Sequence, residues 1–584
     1  MVFFGKLEPR YLGSYRTDSS KKLCLHSLAG IPKIRALMQW EGRVTIYHSL
    51  AFWLGTAAIV TGVAFHLPDF IAARTMHYMM SCMPMSKLML CGMGLIVTGI
   101  AMTAYGLFPV RDEKAINVSG AYQLHTLDNA RLSWAHWQLV IVLCLALVVD
   151  VMKPATLGFV MPGMRQEYGI TASTASLLAL SAMIGTTAGS VLWGILADRF
   201  GRRGSILLAA LIFISTCICG TMPTFEWNLC MCFIMGLSAG GLLPIVFALL
   251  AEMTPARHRG WLSVLMGGLG TAGGYLAASG AAAWLEPIFS WRILWLLNLP
   301  TGLLVVLLSR FIPESPRFLL HEGRVAEAKH NLDRFGIELV PAPNVAKTET
   351  MTHATEFKQL FRKPYVVLTL TVCFYGLAWG LVNWGFLTWL PSILQDFLHM
   401  DDKIAYHLLA KSALFAAPGC VLVAWLYGFW SSKRTMILFA VGTAVVLAGF
   451  ATIQPGGNPT LVSLLTVLLL IGLSGMIAML SPYSVELYPT KLRASGGGVT
   501  ASSSKVGGVV GPSAVALIMT AFPGLTIPAL LLAAPLLLAA AALWLNGKET
   551  SGKRLEELQE TPRPVLRQSD AILYPTAPPD KLGG

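Results

Sequence analysis

A chain of 584 residues that is 55% hydrophobic and only 12% charged, with a mean hydropathy of +0.63, cannot be a soluble globular protein of this size. Its net charge of +13 does not point to nucleic acid, because lysine and arginine sit between apolar stretches and in the tails rather than on a basic face interleaved with aromatics. The positive-inside rule accounts for that charge, and ten cysteines placed mostly in apolar stretches, such as Cys144, Cys373 and Cys420, give no disulfide framework.

Residues 1–45 are mixed and basic, are not expected to act as a signal peptide and are expected on the cytoplasmic side. Region 46–135 holds two apolar stretches, near 46–66 and 87–109, each long enough to cross a bilayer. The loop between them, external by the charge rule, contains His77, Met79, Met80, Cys82, Met83 and Met85. Thioether, thiol and imidazole together suit copper(I), so a copper-handling protein is one alternative reading. The other is methionine filling irregular packing space, and on that reading there is no metal site. Asn117-Val118-Ser119 matches a glycosylation acceptor but falls on the predicted cytoplasmic side and is set aside.

From Gln138 onward about twelve further stretches reach membrane length. The first carries Asp150 and Lys153, three residues apart on one helix face near mid-depth, with Pro154 directly after them to loosen the helix and free carbonyls for a ligand. Charged side chains cost about 2.5–3.5 kcal/mol each at the bilayer centre on insertion scales, so those present usually serve a cavity. A permanent structural ion pair is the competing reading for these two.

Between the second and third core stretches lies Gly194-Ile195-Leu196-Ala197-Asp198-Arg199-Phe200-Gly201-Arg202-Arg203, and after the fourth lies Glu252-Met253-Thr254-Pro255-Ala256-Arg257-His258-Arg259. Both return later. Gly428 stands as far beyond Gly194 as Glu486 stands beyond Glu252, which superposes Ser432-Lys433 on Asp198-Arg199 and Arg493 on Arg259. Region 136–312 is therefore repeated as 364–546, and the polar segment 313–363, helical near 325–335, joins the two.

In the second block the seventh stretch brings Tyr375, Trp379 and Asn383 onto one face, beside Trp384 and Trp389. That face could stack a ring while Asn383 bonds a polar edge, or the tryptophans could anchor at an interface. Lys411 in the eighth stretch and Lys505 in the eleventh add cations, although Lys411 could snorkel to a surface and Lys505 could line a tight helix contact. Three lysines against one aspartate favour an anion, most simply a carboxylate, and Asp150 is the candidate proton carrier. The tail 547–584 is rich in proline and charge.

The complete G-x-x-x-D-R-x-G-R-R match resembles the major facilitator superfamily. The Glu-x-x-Pro-x-x-x-Arg pair, Pro313-Glu314-Ser315-Pro316-Arg317 and the run from Lys548 to Lys553 resemble its sugar, organic-ion and metabolite:proton symporter branches. The resemblance spans about residues 136–560. It implies an all-α membrane protein, with a twelve-helix core of two pseudo-symmetric six-helix halves, here carrying two extra N-terminal helices. It further implies that Asp198, Arg199, Gly201 and Arg202 latch the halves on the cytoplasmic side, with a weaker latch at Ser432. Gly194 and Gly201 would let backbones approach closely.

The expected function is proton-coupled symport of a small organic anion by alternating access, with an aromatic carboxylate the class that the face of the seventh stretch would suit. A sugar or polyol porter and a non-transporting sensor are the alternatives. No hydrolytic triad, phosphate loop or dinucleotide fingerprint is present, so no enzyme and no cofactor are expected. The expected partners are substrate, protons and the lipid bilayer, and the expected setting is a monomer in a bacterial inner membrane with both termini cytoplasmic.

Overall fold

The computed structural model describes residues 48–81, 83–107, 122–125, 132–341, 358–488, 492–522 and 524–550. Continuous apolar runs fold as long helices because backbone groups inside a bilayer must bond within their own segment. Among the described residues, thirteen helices are long and apolar enough to cross a membrane. A further 34-residue helix, Ala256–Phe289, is diluted by glycine.

In chain order the helices are α1 (Ser49–Ala64), α2 (Lys87–Leu107), α3 (Trp134–Tyr168), α4 (Ala172–Phe200), α5 (Arg202–Thr221), α6 (Phe225–Met253) and α7 (Ala256–Phe289). After them come α8 (Ile293–Phe311), α9 (Val366–Phe397), α10 (Asp402–Phe429), α11 (Ser432–Phe450), α12 (Pro459–Leu487), α13 (Arg493–Ala521) and α14 (Thr526–Asn546). Helices α3–α8 form one half and α9–α14 the other. The linker contributes two short helices, Pro316–His321 and Val325–Asp333.

Glycine sets the closest approaches. In the α1–α2 hairpin a Cβ on Gly55 would fall 2.7 Å from the Gly99 carbonyl oxygen, and one on Gly62 would fall 2.6 Å from that of Gly92. The backbones therefore touch, as in small-residue membrane helix pairs. The hairpin packs on α5. Between the halves, α7 packs along α10 and α12, while α4 packs along α13.

Two local departures from regular α-helix matter for the site. Helix α3 runs unbroken through Pro154 and Pro162, and Pro154 has no N–H to offer the carbonyl of Asp150 one turn earlier. Helix α9 widens into π-helix over Leu381–Leu387 and again over Ile393–Phe397. Such widening is frequent at functional positions.

The chain is not purely helical. Strands Tyr122–His125 and Glu338–Pro341 pair antiparallel, with Tyr122 opposite Pro341 and His125 opposite Glu338. This short ribbon ties the segment before α3 to the linker, and the alternating periodicity of four residues is too brief to be read in sequence.

Candidate functional site

Asp150 and Lys153 of α3 are both buried and form an ion pair at 3.2 Å. The Lys153 ammonium also lies 4.0 Å from the centre of the Phe213 ring on α5, a cation over an aromatic face inside the first half. Lys505 of α13 comes from the other half. It lies within Coulombic range of Asp150, and its Nζ approaches the Thr186 carbonyl of α4 at 3.5 Å. One carboxylate and two ammonium groups thus meet where the halves adjoin.

Lys411 lies elsewhere. It is exposed on the stripe of α10 that also presents Leu414, Phe415, Leu422, Trp425 and Phe429, an apolar face turned away from the bundle. Its ammonium is outside the buried charge cluster, and the spacing of those apolar neighbours was the sequence signal for that placement.

The aromatic face of α9 divides in two. The Tyr375 hydroxyl donates to the Met436 carbonyl at 3.2 Å, and the Trp379 indole donates to the Leu473 carbonyl at 2.8 Å, so both polar tips are used within the second half. Asn383 is buried within the π-helical turn. Trp384, half-buried, sits edge-on to Trp379 at 6.5 Å and covers Gly508, where a Cβ would meet its ring at 2.6 Å and the Met183 sulfur of the first half at 3.0 Å. Trp384 therefore reaches the junction between halves. The Trp389 indole donates to the Pro512 carbonyl at 2.9 Å.

At the end of the bundle that carries the signature loop, two carboxylates, one buried and one half-buried, organise the helix starts. Glu314 accepts the amide of Arg202 at 2.8 Å and shares that of Arg203 at the N-terminus of α5. Burial pushes its carboxyl up, against the opposing pull of the amides and of Arg203. Gly201 has a φ of +92° and a Cβ there would fall 2.7 Å from the Glu314 carboxylate, so both backbone shape and space require glycine. Beside Gly194, by contrast, nothing comes within 4 Å of where a Cβ would stand, so close approach is not its role. Arg202 also pairs with Glu252 at 2.9 Å, and Glu252 accepts the Ser315 hydroxyl.

The second half repeats this arrangement. Glu549, just past α14, accepts the Ser432 amide at 2.9 Å and the Ser432 hydroxyl at 2.6 Å, and takes the Ser431 hydroxyl as well. A carboxylate at the start of α5 and another at the start of α11 both answer the positive end of a helix. Sequence reasoning missed these two roles. The signal was present in the glutamates of Pro313-Glu314-Ser315 and Lys548-Glu549-Thr550, each following the sixth helix of its half.

Within the second half at this end Tyr427 of α10 donates to Glu486 of α12 at 3.1 Å, and across the halves Arg259 of α7 acts on Glu486 electrostatically. Lys433 donates to the Trp544 carbonyl at 2.8 Å. The side chains of Asp198, Arg199 and Arg493 lie outside the described residues.

At the opposite end, Arg165 of α3 pairs with Asp396 of α9 at 2.6 Å, joining the halves. Two residues on, Glu167 bonds Arg292 at 2.6 and 3.1 Å and the Trp291 indole at 3.0 Å. Arg292 is wholly buried and also reaches the Gly220 and Met222 carbonyls and the Tyr168 hydroxyl. Glu167 further accepts the amides of Met80 and Ser81 at 2.9 and 3.1 Å, which fastens the hairpin loop to the core.

That loop uses its residues for packing. Met80 is buried and Met83 half-buried in a cluster with Phe70, Tyr78 and Phe289, Met79 is exposed, and His77 takes the left-handed conformation at the end of a short helix. Met85 is half-buried against the core, and Cys82 lies outside the described residues. Among the described residues, no three histidine, cysteine or acidic side chains come together as a metal cluster.

Two six-helix halves meeting around a charged junction, with an ion pair joining them at the end remote from the signature loop, define a membrane carrier. Residues 143–512 match the model of the Major Facilitator Superfamily, and the chain belongs to that family. It is 28% identical over 442 residues to a niacin transporter of Acinetobacter baylyi, spanning 74% of this chain and 98% of that one. It is also 28% identical to a 4-hydroxybenzoate transporter of the same organism, over 66% and 85% of the two chains. The fold matches the xylose transporter XylE of E. coli in a partially occluded, inward-open conformation, with a TM-score of 0.58 at 18% identity over 72% of this chain and all of the other. The chain is thus a multi-pass membrane transporter of small molecules and not an enzyme.

Proposed function

We propose that this chain imports a small aromatic or heteroaromatic carboxylate together with a proton, by alternating access between its halves. The observation that carries this reading is the buried Asp150–Lys153 pair with the half-buried Lys505 in Coulombic range of it, two ammonium groups to one carboxylate where the halves adjoin. An uncompensated cation in that setting favours an arriving anion, and an anion that engages the lysines loosens their hold on Asp150, which then takes a proton. Niacin and 4-hydroxybenzoate, the compounds named for the two bacterial relatives, are each a single ring bearing a carboxylate. On this reading Trp384, which reaches the junction between halves, meets such a ring, with Asn383 beside it.

On this reading the protein works as a monomer in a bacterial inner membrane with both termini cytoplasmic. Regions 136–312 and 364–546 rock about the linker 313–363, and the Gly194–Arg203 and Glu486–Arg493 collars close the cytoplasmic side. The test is uptake of labelled niacin and 4-hydroxybenzoate into proteoliposomes. An inward proton gradient should drive either acid above its external concentration. Equal levels inside and outside with the gradient imposed would reject proton coupling, and no uptake of either acid would reject the substrate class.

A further inference from the structure

A cavity of about 170 Å³ lies between the halves at the end of the bundle remote from the signature loop. Its walls come from α3 and the start of α4 on one side and from the ends of α9 and α13 on the other. Arg165 and Asp396, the ion pair that joins the halves here, both line it. Three features mark it as a built site rather than a packing gap.

Ser392 lines the cavity, is 1% exposed, and its hydroxyl has no hydrogen-bond partner. A buried hydroxyl left unpaired costs about 1–3 kcal/mol, so such groups call for an occupant. The Arg165 Nε–H is likewise buried and unpartnered, because Asp396 engages only the Nη1 of that guanidinium. Trp389 and Met519 supply apolar walls, and the Trp389 indole N–H is already spent on Pro512, so what it offers the cavity is carbon surface. A guanidinium edge, a free hydroxyl and a flat apolar wall together fit a planar carboxylate on a single ring.

We propose that this cavity is an outer loading subsite, where the carboxylate of the carried acid takes Arg165 from Asp396, accepts the Ser392 hydroxyl, and so releases the ion pair that holds this end of the carrier shut. The substrate class rests on the function proposed above; the geometry of the subsite does not. Displacing one carboxylate from Arg165 with another exchanges like for like, so opening is driven by the added Nε–H and hydroxyl bonds that Asp396 does not make. Asp396, 57% exposed, can return to water at little cost. Substrate at the outer face and an open outer gate are thereby the same event.

The test sets three variants against wild type in proteoliposome uptake of niacin and 4-hydroxybenzoate. Asp396→Asn frees Arg165 for the substrate and should lower KM about threefold to tenfold, whereas Arg165→Gln should raise KM about tenfold or more and Ser392→Ala about threefold. A pair that merely latches the halves predicts otherwise, because Asp396→Asn and Arg165→Gln break the same bond and would shift KM in the same direction. That outcome overturns the subsite, as does an unchanged KM in Ser392→Ala, a substitution small enough to preserve folding. Absence of uptake by wild type would instead strike the substrate class, so the two failures are told apart by the wild-type arm.

Discussion

Helices α3 and α9 open the two halves and occupy equivalent places in the repeat, yet they have taken on opposite chemistry. Helix α3 is regular through two prolines and carries Asp150 and Lys153, whereas α9 widens into π-helix and carries Trp379, Asn383 and Trp384 without a charge in that stretch. A duplicated fold supplies the symmetry on which rocking depends, and divergence of equivalent helices then gives the pocket two unlike walls. On the proposed function one wall handles charge and protons, and the other handles shape.

The sharpest way to break that comparison is Asp150→Asn. If the charged wall alone couples the proton, uphill accumulation should fall to background, a loss of about a hundredfold, while exchange of labelled for unlabelled acid across the membrane persists. Retained accumulation in that variant would move coupling elsewhere. Next in size is Arg292→Leu, which strands the buried carboxylate of Glu167 in the first half. Breaking a buried pair costs about 3–5 kcal/mol, so thermal unfolding of the purified protein in detergent should shift down by many degrees.

Lys505→Met tests whether the second half lends charge to the first. It should raise KM about tenfold, roughly 1.4 kcal/mol, with uptake still driven by the proton gradient. Trp384→Ala is expected to have the smallest effect, a KM increase of about threefold from loss of an aromatic contact worth about 0.5–1.5 kcal/mol, with no change in protons moved per substrate. A change in that stoichiometry would show that the two walls are not separable.

Much of the architecture was legible because bilayer length and the positive-inside rule act on each stretch locally, and because the repeated glycines and glutamates keep one spacing. The buried partner of Asp150 was legible for the same reason, since three residues on a helix fix a face. What could not be read was contact between distant segments. Arg165 with Asp396, Glu167 with Arg292, and Glu549 with Ser432 are each ordinary charged or polar residues until folding brings them together. The π-helical turn of α9 was hidden because no single residue type demands it. Tyr375 and Trp379 shared the predicted face, but only the packed second half shows their polar tips consumed by Met436 and Leu473.

The grip of Glu167 on the loop between α1 and α2 bears on how such a machine swings. The amides of Met80 and Ser81 bind the hairpin loop to Glu167 at the end of α3, which the buried Arg292 guanidinium holds in turn, while the hairpin's other faces, with Leu54, Val97 and Tyr105, remain exposed. In the proposed rocking motion the first half would therefore turn as an eight-helix block with a broad keel in the lipid. Its slimmer six-helix counterpart has less hydrocarbon to displace, and the stroke is better pictured as that lighter block tilting against an anchored one than as two equal jaws.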